Sequence, residues 1–206
     1  AVANGGTLGR GLGIGSPLLV PVAISDFIFS AIAEETGLVG TLGLICLIWL
    51  ILARGLIIAL RAPDNFRRYL AAGITAYLGV QSLLIIGGNL RLLPLTGVTL
   101  PFVSYGGSSL LTSFIALYLL IAISNVEDAE PAPLQNPRPY TMLAGIFALG
   151  LAACALTSAW WAIARGDDLL ARTDNPRRAI ADRFVLRGEI VDNNNQPISI
   201  TTGESG

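Results

Sequence analysis

The side chains able to do chemistry in this chain are of two kinds, carboxylates and arginines. All thirteen basic residues are Arg, and neither Lys nor His occurs. That composition excludes a histidine general base or metal ligand, a lysine Schiff base, the P-loop lysine and the Ser-x-x-Lys acyl-transfer motif. The net charge of −1 gives no basis for nucleic-acid binding. Asp26 opens the run Asp26-Phe-Ile-Phe29, and Glu34 and Glu35 follow on the same stretch. At 100° per residue Glu34 lies about 80° from Asp26 around a helix and Glu35 about 180° away, so Glu34 is the better partner for sharing a divalent cation, Mg²⁺ or Mn²⁺, with Asp26. The plain alternatives are that Asp26 or Ser25 caps a short helix and that the two glutamates form a solvated helix end. Arg10 and Arg91 are the basic residues of the segments 1–25 and 91–107. An arginine there can hold an anion through paired hydrogen bonds, or snorkel to the membrane surface. Ser104-Tyr-Gly-Gly-Ser-Ser109 precedes an apolar run, where free N–H groups can receive an anion unless Ser108 caps the helix. Gly11-x-Gly-x-Gly15 lacks the leading strand and following helix of a dinucleotide site. Cys46 and Cys154 lie in apolar runs and read as buried packing residues.

These residues need elements to hold them, and the composition says which. Of the 206 residues 53% are hydrophobic and 13% charged, with a mean hydropathy of +0.66, about half the charge of a soluble domain. Four stretches have the length and apolarity of transmembrane helices: Leu38–Leu60, Tyr69–Leu90 (interrupted by Gln81 and Asn89), Ser108–Ser124 and Tyr140–Ala164. A short helix is expected from Ser25–Asp26 to Thr36, stopped by Gly37. The apolar segment 92–107 is broken by Pro94, Gly97, Pro101, Gly106 and Gly107. It cannot stay one helix, and non-helical backbone survives at membrane depth only against protein or a water-filled cavity, so it reads as a re-entrant loop. Residues 125–139 are a proline-rich polar linker and a domain junction. In the tail, Arg183–Asp192 and Pro197–Thr201 read as strands around the turn Asn193–Gln196. The fold expected is an all-α polytopic membrane protein, with about four transmembrane helices, a re-entrant loop and a short β-containing tail. No signal-peptide pattern opens the chain, and its start at Ala1 inside a loop reads as an excerpt of a longer polypeptide. Arginines in the short loops favour a cytoplasmic position for 61–68 and 125–139; those of the tail argue the reverse.

Two segments resemble the SEDS family, the shape, elongation, division and sporulation proteins. The first is Gly5-Gly-x-x-Gly-x-Gly-Leu-Gly13 with Ser25-Asp-Phe-Ile-Phe29 and Ala33-Glu-Glu-x-Gly37; the second is Leu93-Pro-Leu-Thr-Gly-Val-Thr-Leu-Pro-Phe-Val-Ser-Tyr-Gly-Gly-Ser-Ser109. The resemblance covers residues 1–124 and implies the C-terminal part of a membrane glycosyltransferase that polymerises lipid II and releases undecaprenyl diphosphate. It implies Asp26 as the catalytic base, with Arg10, Arg91, Thr96, Ser104, Tyr105, Gly106 and Ser108 at the substrate. Two departures stand out. Thr96 replaces a lysine of some division-type members, and Pro21-Val-Ala-Ile-Ser-Asp26 lacks the acidic residue and histidine of the common Pro-Glu-Ala-His-Thr-Asp pattern.

The remainder is similar to the start of a class B penicillin-binding protein: a lone span, 140–164, then Asn175-Pro-Arg-Arg178 and Arg187-Gly-Glu-Ile-Val-Asp192, where that family has Arg-Gly-x-Ile-x-Asp. The pairing implies a polymerase fused to its transpeptidase partner. It implies a multi-pass protein of the bacterial inner (plasma) membrane, with the linker 125–139 cytoplasmic and the tail 165–206 extracytoplasmic. Elongation and division roles both stay open, as do a lipid II transporter and a non-catalytic scaffold for wall synthases. The 206 residues alone are expected to lack polymerase activity, because most of the family's spans are not among them.

Overall fold

The computed structural model describes residues 2–9, 11, 26–125, 136–164, 190–191 and 197–199. The chain divides into two units, 1–166 and 167–206. The first is helical: α1 (Val2–Gly5), α2 (Ile28–Arg61), α3 (Asn65–Asn89), α4 (Gly107–Ser124) and α5 (Arg138–Ala159), the last running into one π-helical turn, Trp160–Ala164. Four of these, counting α5 with its π turn, are long and apolar enough to cross a membrane. The protein is a multi-pass membrane protein of all-α class. In the second unit β1 (Ile190–Val191) pairs antiparallel with β2 (Pro197–Ser199), Ile190 opposite Ser199 and Val191 opposite Pro197. The rest of the expected tail strands and their turn lies outside the described residues.

Local chemistry sets the helix ends. Pro63 and Asp64 start α3: the Asp64 carboxylate accepts from Arg67 N–H at 2.8 Å and meets Arg67 Nε at 3.3 Å. Pro137 and Pro139 open α5, where prolines need no N–H partner, and Asn136 Oδ1 accepts from Arg138 N–H at 3.0 Å. Two expectations at helix starts need correction. The helix after Asp26 begins at Ile28, with Phe27 in the cap position and no side-chain cap. Likewise α4 begins at Gly107, one residue before Ser108, and its cap residue Gly106 has no side chain to offer.

Gly37 does interrupt the helix as expected, but helix resumes at once, so α2 is one kinked element. Gly37 adopts φ 67°, ψ −160°, a conformation that favours glycine. The break frees N–H groups that lipid could not satisfy. The segment after α1 supplies partners: Leu38 N–H donates to Gly6 O at 3.0 Å, Val39 N–H to Thr7 O at 3.3 Å, and Gly11 N–H to Glu35 O at 3.1 Å. A β-carbon on Gly37 would collide with the Gly9 backbone nitrogen, so the two strands of chain cross in direct contact. The chain's start, expected inside a loop, includes the short helix α1; residues 12–25 lie outside the described set.

α3 is the central helix. Half of its most apolar stretch is buried in the bundle, against 17% for α4. It meets α2 where Gly55 receives Thr75, and meets α5 where Gly79 receives Phe147 and Gly150 receives Leu83. Small residues that admit a neighbour's side chain are how helices adhere in lipid, where apolar burial gives no drive. Phe29, Leu52, Leu78, Ile86, Leu100 and Phe147 form the most enclosed part of the core. Cys154 is buried as expected, but Cys46 is exposed on α2. A helix apolar on every face gives no sequence cue to which face meets lipid.

Candidate functional site

The site lies where the start of α2, the end of α3 and the segment 90–106 meet. Asn89, the last residue of α3, ties the first two together. Its Nδ2 donates to Asp26 O and to Ile85 O, both at 2.8 Å, and its Oδ1 accepts from Ser30 Oγ at 2.8 Å. One amide therefore fixes the backbone of Asp26 and the first turn of α2. The Asp26 side chain is left partly exposed and caps no helix.

The segment leaving α3 turns sharply. Arg91 sits at φ 62°, Leu92 N–H donates to Gly87 O at 2.8 Å and Arg91 N–H to Gly88 O at 3.1 Å. This is a Schellman end with arginine in the left-handed position that glycine usually takes. A side chain there costs about 1–2 kcal/mol, and strain of this kind clusters at functional positions. The arginine side chain is exposed.

The segment then runs back into the bundle. Gln81 Nε2 donates to Thr99 O at 2.8 Å, and Gln81 is eight residues before Asn89, about 12 Å along the helix. Leu100 beyond it is 1% exposed. The backbone has no helix or strand from Pro94 to Leu100 and turns at 101–105, as a re-entrant loop requires. Thr99 Oγ1 and Ser109 Oγ share a hydrogen bond, joining the loop to the first turn of α4. Ser104 Oγ accepts from Leu100 N–H at 2.8 Å and locks the turn in which Phe102 takes φ 65°. Phe102 in turn meets Phe114 of α4 edge-to-face, with ring centres 5.6 Å apart.

Gly97 joins this loop to the carboxylate. It adopts φ 65°, and a β-carbon added there would lie 3.9 Å from Asp26 Oδ2. The Asp26 carboxylate thus lies beside the backbone of the Pro-Leu-Thr-Gly stretch, at a residue whose left-handed conformation favours glycine.

The other sequence candidates divide. Arg91, Thr96, Tyr105 and Ser108 present exposed side chains on the segment or the start of α4. Ser104 is buried with its hydroxyl on the loop's own backbone, a structural position rather than an open one. Gly106 caps α4 without a side chain, so the first-turn N–H groups are not covered by a capping hydroxyl or carboxylate. Arg10 lies outside the described residues. Glu34 is 2% exposed, on the arm against which Gly5 of α1 rests, while Asp26 is partly open. Among the described residues no three His, Cys, Asp or Glu side chains gather as a metal cage. A Mg²⁺ ion does not need such a cage: it keeps several waters and binds one or two carboxylates plus substrate phosphates, which Asp26 suits and the enclosed Glu34 does not.

In the sequence Asn89 and Gln81 stand only as polar interruptions of a span. A polar side chain inside a span is itself a signal, because it must find a partner. Their partners, Asp26 and Thr99, are 63 and 18 residues away.

The chain is similar to known proteins over its first unit. The FtsW/RodA/SpoVE family model, described as cell cycle protein, matches residues 1–129. The chain is 47% identical over 123 residues to the peptidoglycan glycosyltransferase RodA of Mycobacterium tuberculosis H37Rv, covering 60% of this chain and 26% of that protein. It is 42% identical over 133 residues to a probable peptidoglycan glycosyltransferase FtsW of Geobacter metallireducens, covering 64% and 36%. A probable FtsW of Synechocystis matches at 42% over 137 residues, 65% and 35%. The chain thus spans about a quarter to a third of the length of these curated relatives. The family match ends at 129, before α5, and contains Asp26, Asn89 and the whole re-entrant segment: the chain belongs to the FtsW/RodA/SpoVE, or SEDS, family.

Proposed function

We propose that residues 1–124 act as the C-terminal part of a peptidoglycan glycosyltransferase that polymerises lipid II, with Asp26 as general base. The observation that carries this is the Asp26 carboxylate, partly open, capping no helix, and facing Gly97 of the re-entrant loop. In the reaction a hydroxyl of the acceptor sugar attacks the anomeric carbon of the donor. The hydroxyl proton passes to Asp26, and the bond from that carbon to the diphosphate oxygen breaks, releasing undecaprenyl diphosphate. The leaving group gains negative charge. Arg91, held exposed in its left-handed turn, and Arg10 would hold it with paired hydrogen bonds. The uncapped start of α4, with Tyr105 and Ser108 beside it and Thr96 on the loop, adds N–H and hydroxyl donors. A divalent cation would draw on Asp26 and the substrate diphosphate and would add charge neutralisation; the steps above do not depend on it.

The names of the relatives, and the wall-building role they carry, support this reading. The same proposal places the site on the extracytoplasmic face of the inner membrane and the linker 125–139 in the cytoplasm. It takes residues 140–164 as the anchor of a class B penicillin-binding protein whose extracytoplasmic region starts at 165.

The test is glycan polymerisation from lipid II in liposomes by the complete protein, native against Asp26→Asn. The expected outcome is a loss of about 100-fold or more. Polymerisation that survives the substitution overturns the assignment. Translocation of lipid II without polymerisation by the native protein would make it a transporter, and neither activity would make it a scaffold.

A further inference from the structure

The far end of α2 carries a second site. A cavity of about 220 Å³ opens between the ends of α2 and α4, lined by Arg54, Arg61, Ile57, Ile58, Ile123 and Ser124. Arg54 and Arg61 are seven residues apart, so they stand about 20° from each other around the helix, on one face. Both side chains are exposed. Among the described residues no ion pair or hydrogen bond holds either one. The nearest carboxylate in sequence, Asp64, is engaged by Arg67 and caps α3.

Arg61 has an ordinary explanation: it lies in the last turn of α2, where the helix dipole favours a cation. Arg54 has none, because that effect fades within the last turn. The arm from Leu38 to Arg61 is about 36 Å long against a hydrocarbon core of about 30 Å, which puts the Arg54 backbone about 7 Å beneath the core boundary when the arm is centred. A charge at that depth faces a water-filled cavity or a partner. The cavity beside it has an isoleucine-lined wall suited to an acyl chain. Two cations without an anion also select against a headgroup that brings its own cation.

We propose that this cavity binds the phosphodiester headgroup of an anionic glycerophospholipid, in the leaflet opposite Asp26. Arg54 and Arg61 clamp the phosphate, and Ile57, Ile58 and Ile123 seat the chain. The inference does not rest on the glycosyltransferase reading.

Native mass spectrometry of the delipidated protein in detergent tests it, with added phosphatidylglycerol, phosphatidylcholine or inorganic phosphate. Phosphatidylglycerol should be retained about 30-fold over phosphatidylcholine, each arginine contributing a factor of about five. Arg54→Gln should lose that factor of about five and the double variant Arg54→Gln/Arg61→Gln the whole preference, whereas Arg67→Gln, outside the cavity, should keep it. Both arginines are exposed, so the variants should keep native helix content by circular dichroism. Equal retention of the two lipids, or a double variant that still prefers phosphatidylglycerol, overturns the proposal. Displacement by millimolar inorganic phosphate would make this a free-anion site and also overturn it. So would a preference that emerges only when the linker acids Glu127, Asp128 and Glu130 are neutralised, since the linker would then be the occupant.

Discussion

The re-entrant loop and helix α5 are both held against α3, but by different means. The loop is held by polar bonds, Gln81 to the Thr99 carbonyl and the Leu92 and Leu93 N–H groups to Gly87 O, with Thr99 to Ser109 tying it to α4; Asn89 holds the adjacent start of α2 to α3 in the same way. Helix α5 is held by shape, with Phe147 against Gly79 and Leu83 against Gly150. A hydrogen bond fixes a direction and a distance, whereas a side chain in a glycine notch fixes a position but tolerates sliding and rotation. The first suits a carboxylate in the role proposed for Asp26, which needs to meet an acceptor hydroxyl within hydrogen-bond reach. The second suits an attachment whose exact angle matters less. Both are compatible with lipid, where neither gains from burial of apolar surface.

That contrast can be broken from either side. The largest effect, after loss of the Asp26 carboxylate itself, is expected from Asn89→Leu. It removes the two hydrogen bonds that tie α3 to the start of α2, and one within α3, and frees Asp26 to shift; a misplacement of 1 Å is worth about 100-fold in rate. Polymerisation by Asn89→Leu should fall by about 10- to 100-fold with lipid II binding largely kept, read as a fall in kcat at similar KM. Next comes Arg91→Gly, which relieves a left-handed residue and removes a guanidinium together. Thermal stability should rise by up to about 1 kcal/mol while KM for lipid II rises by about tenfold. A fall in stability would show that the arginine side chain, not its backbone, holds the turn. The smallest effect on activity belongs to Gly79→Leu. Filling the notch for Phe147 should cost about 1–3 kcal/mol of packing between α3 and α5, seen as reduced cross-linking of the two helices. Polymerisation should change by less than about threefold, because the site's polar clamps are on other residues. A large loss of activity there would mean that shape packing transmits to the site after all.

These differences also mark what a sequence alone makes legible. Length and apolarity place the four spans within a few residues, and the prolines and glycines of 92–107 rule out a helix there. Asp26 and the loop motif stand out through their resemblance to SEDS sequences, since composition and spacing alone leave Asp26 readable as a helix cap. Asn89 and Gln81 are visible as polar residues in apolar runs, but a side-chain bond across 63 residues depends on how α2 and α3 cross, which no local pattern encodes. The same holds for Arg91: its left-handed backbone follows from the turn made by Gly87 and Gly88 carbonyls, not from its own preference. Cys46 shows the limit for packing. On a helix apolar all round, its exposure is decided by the neighbours rather than by periodicity.

Gly37 gives α2 the mechanics of a jointed boom. The arm from Gly37 back to Asp26 spans eleven residues, about 16 Å, so each 10° of swing at the joint carries the carboxylate by about 3 Å. Gly6, Thr7 and Gly11 act as stays on that joint, and Asn89 moors its tip. Rigging of this sort ties the aim of the carboxylate proposed as the base to the backbone at Gly6, Thr7 and Gly11, fifteen or more residues away in sequence.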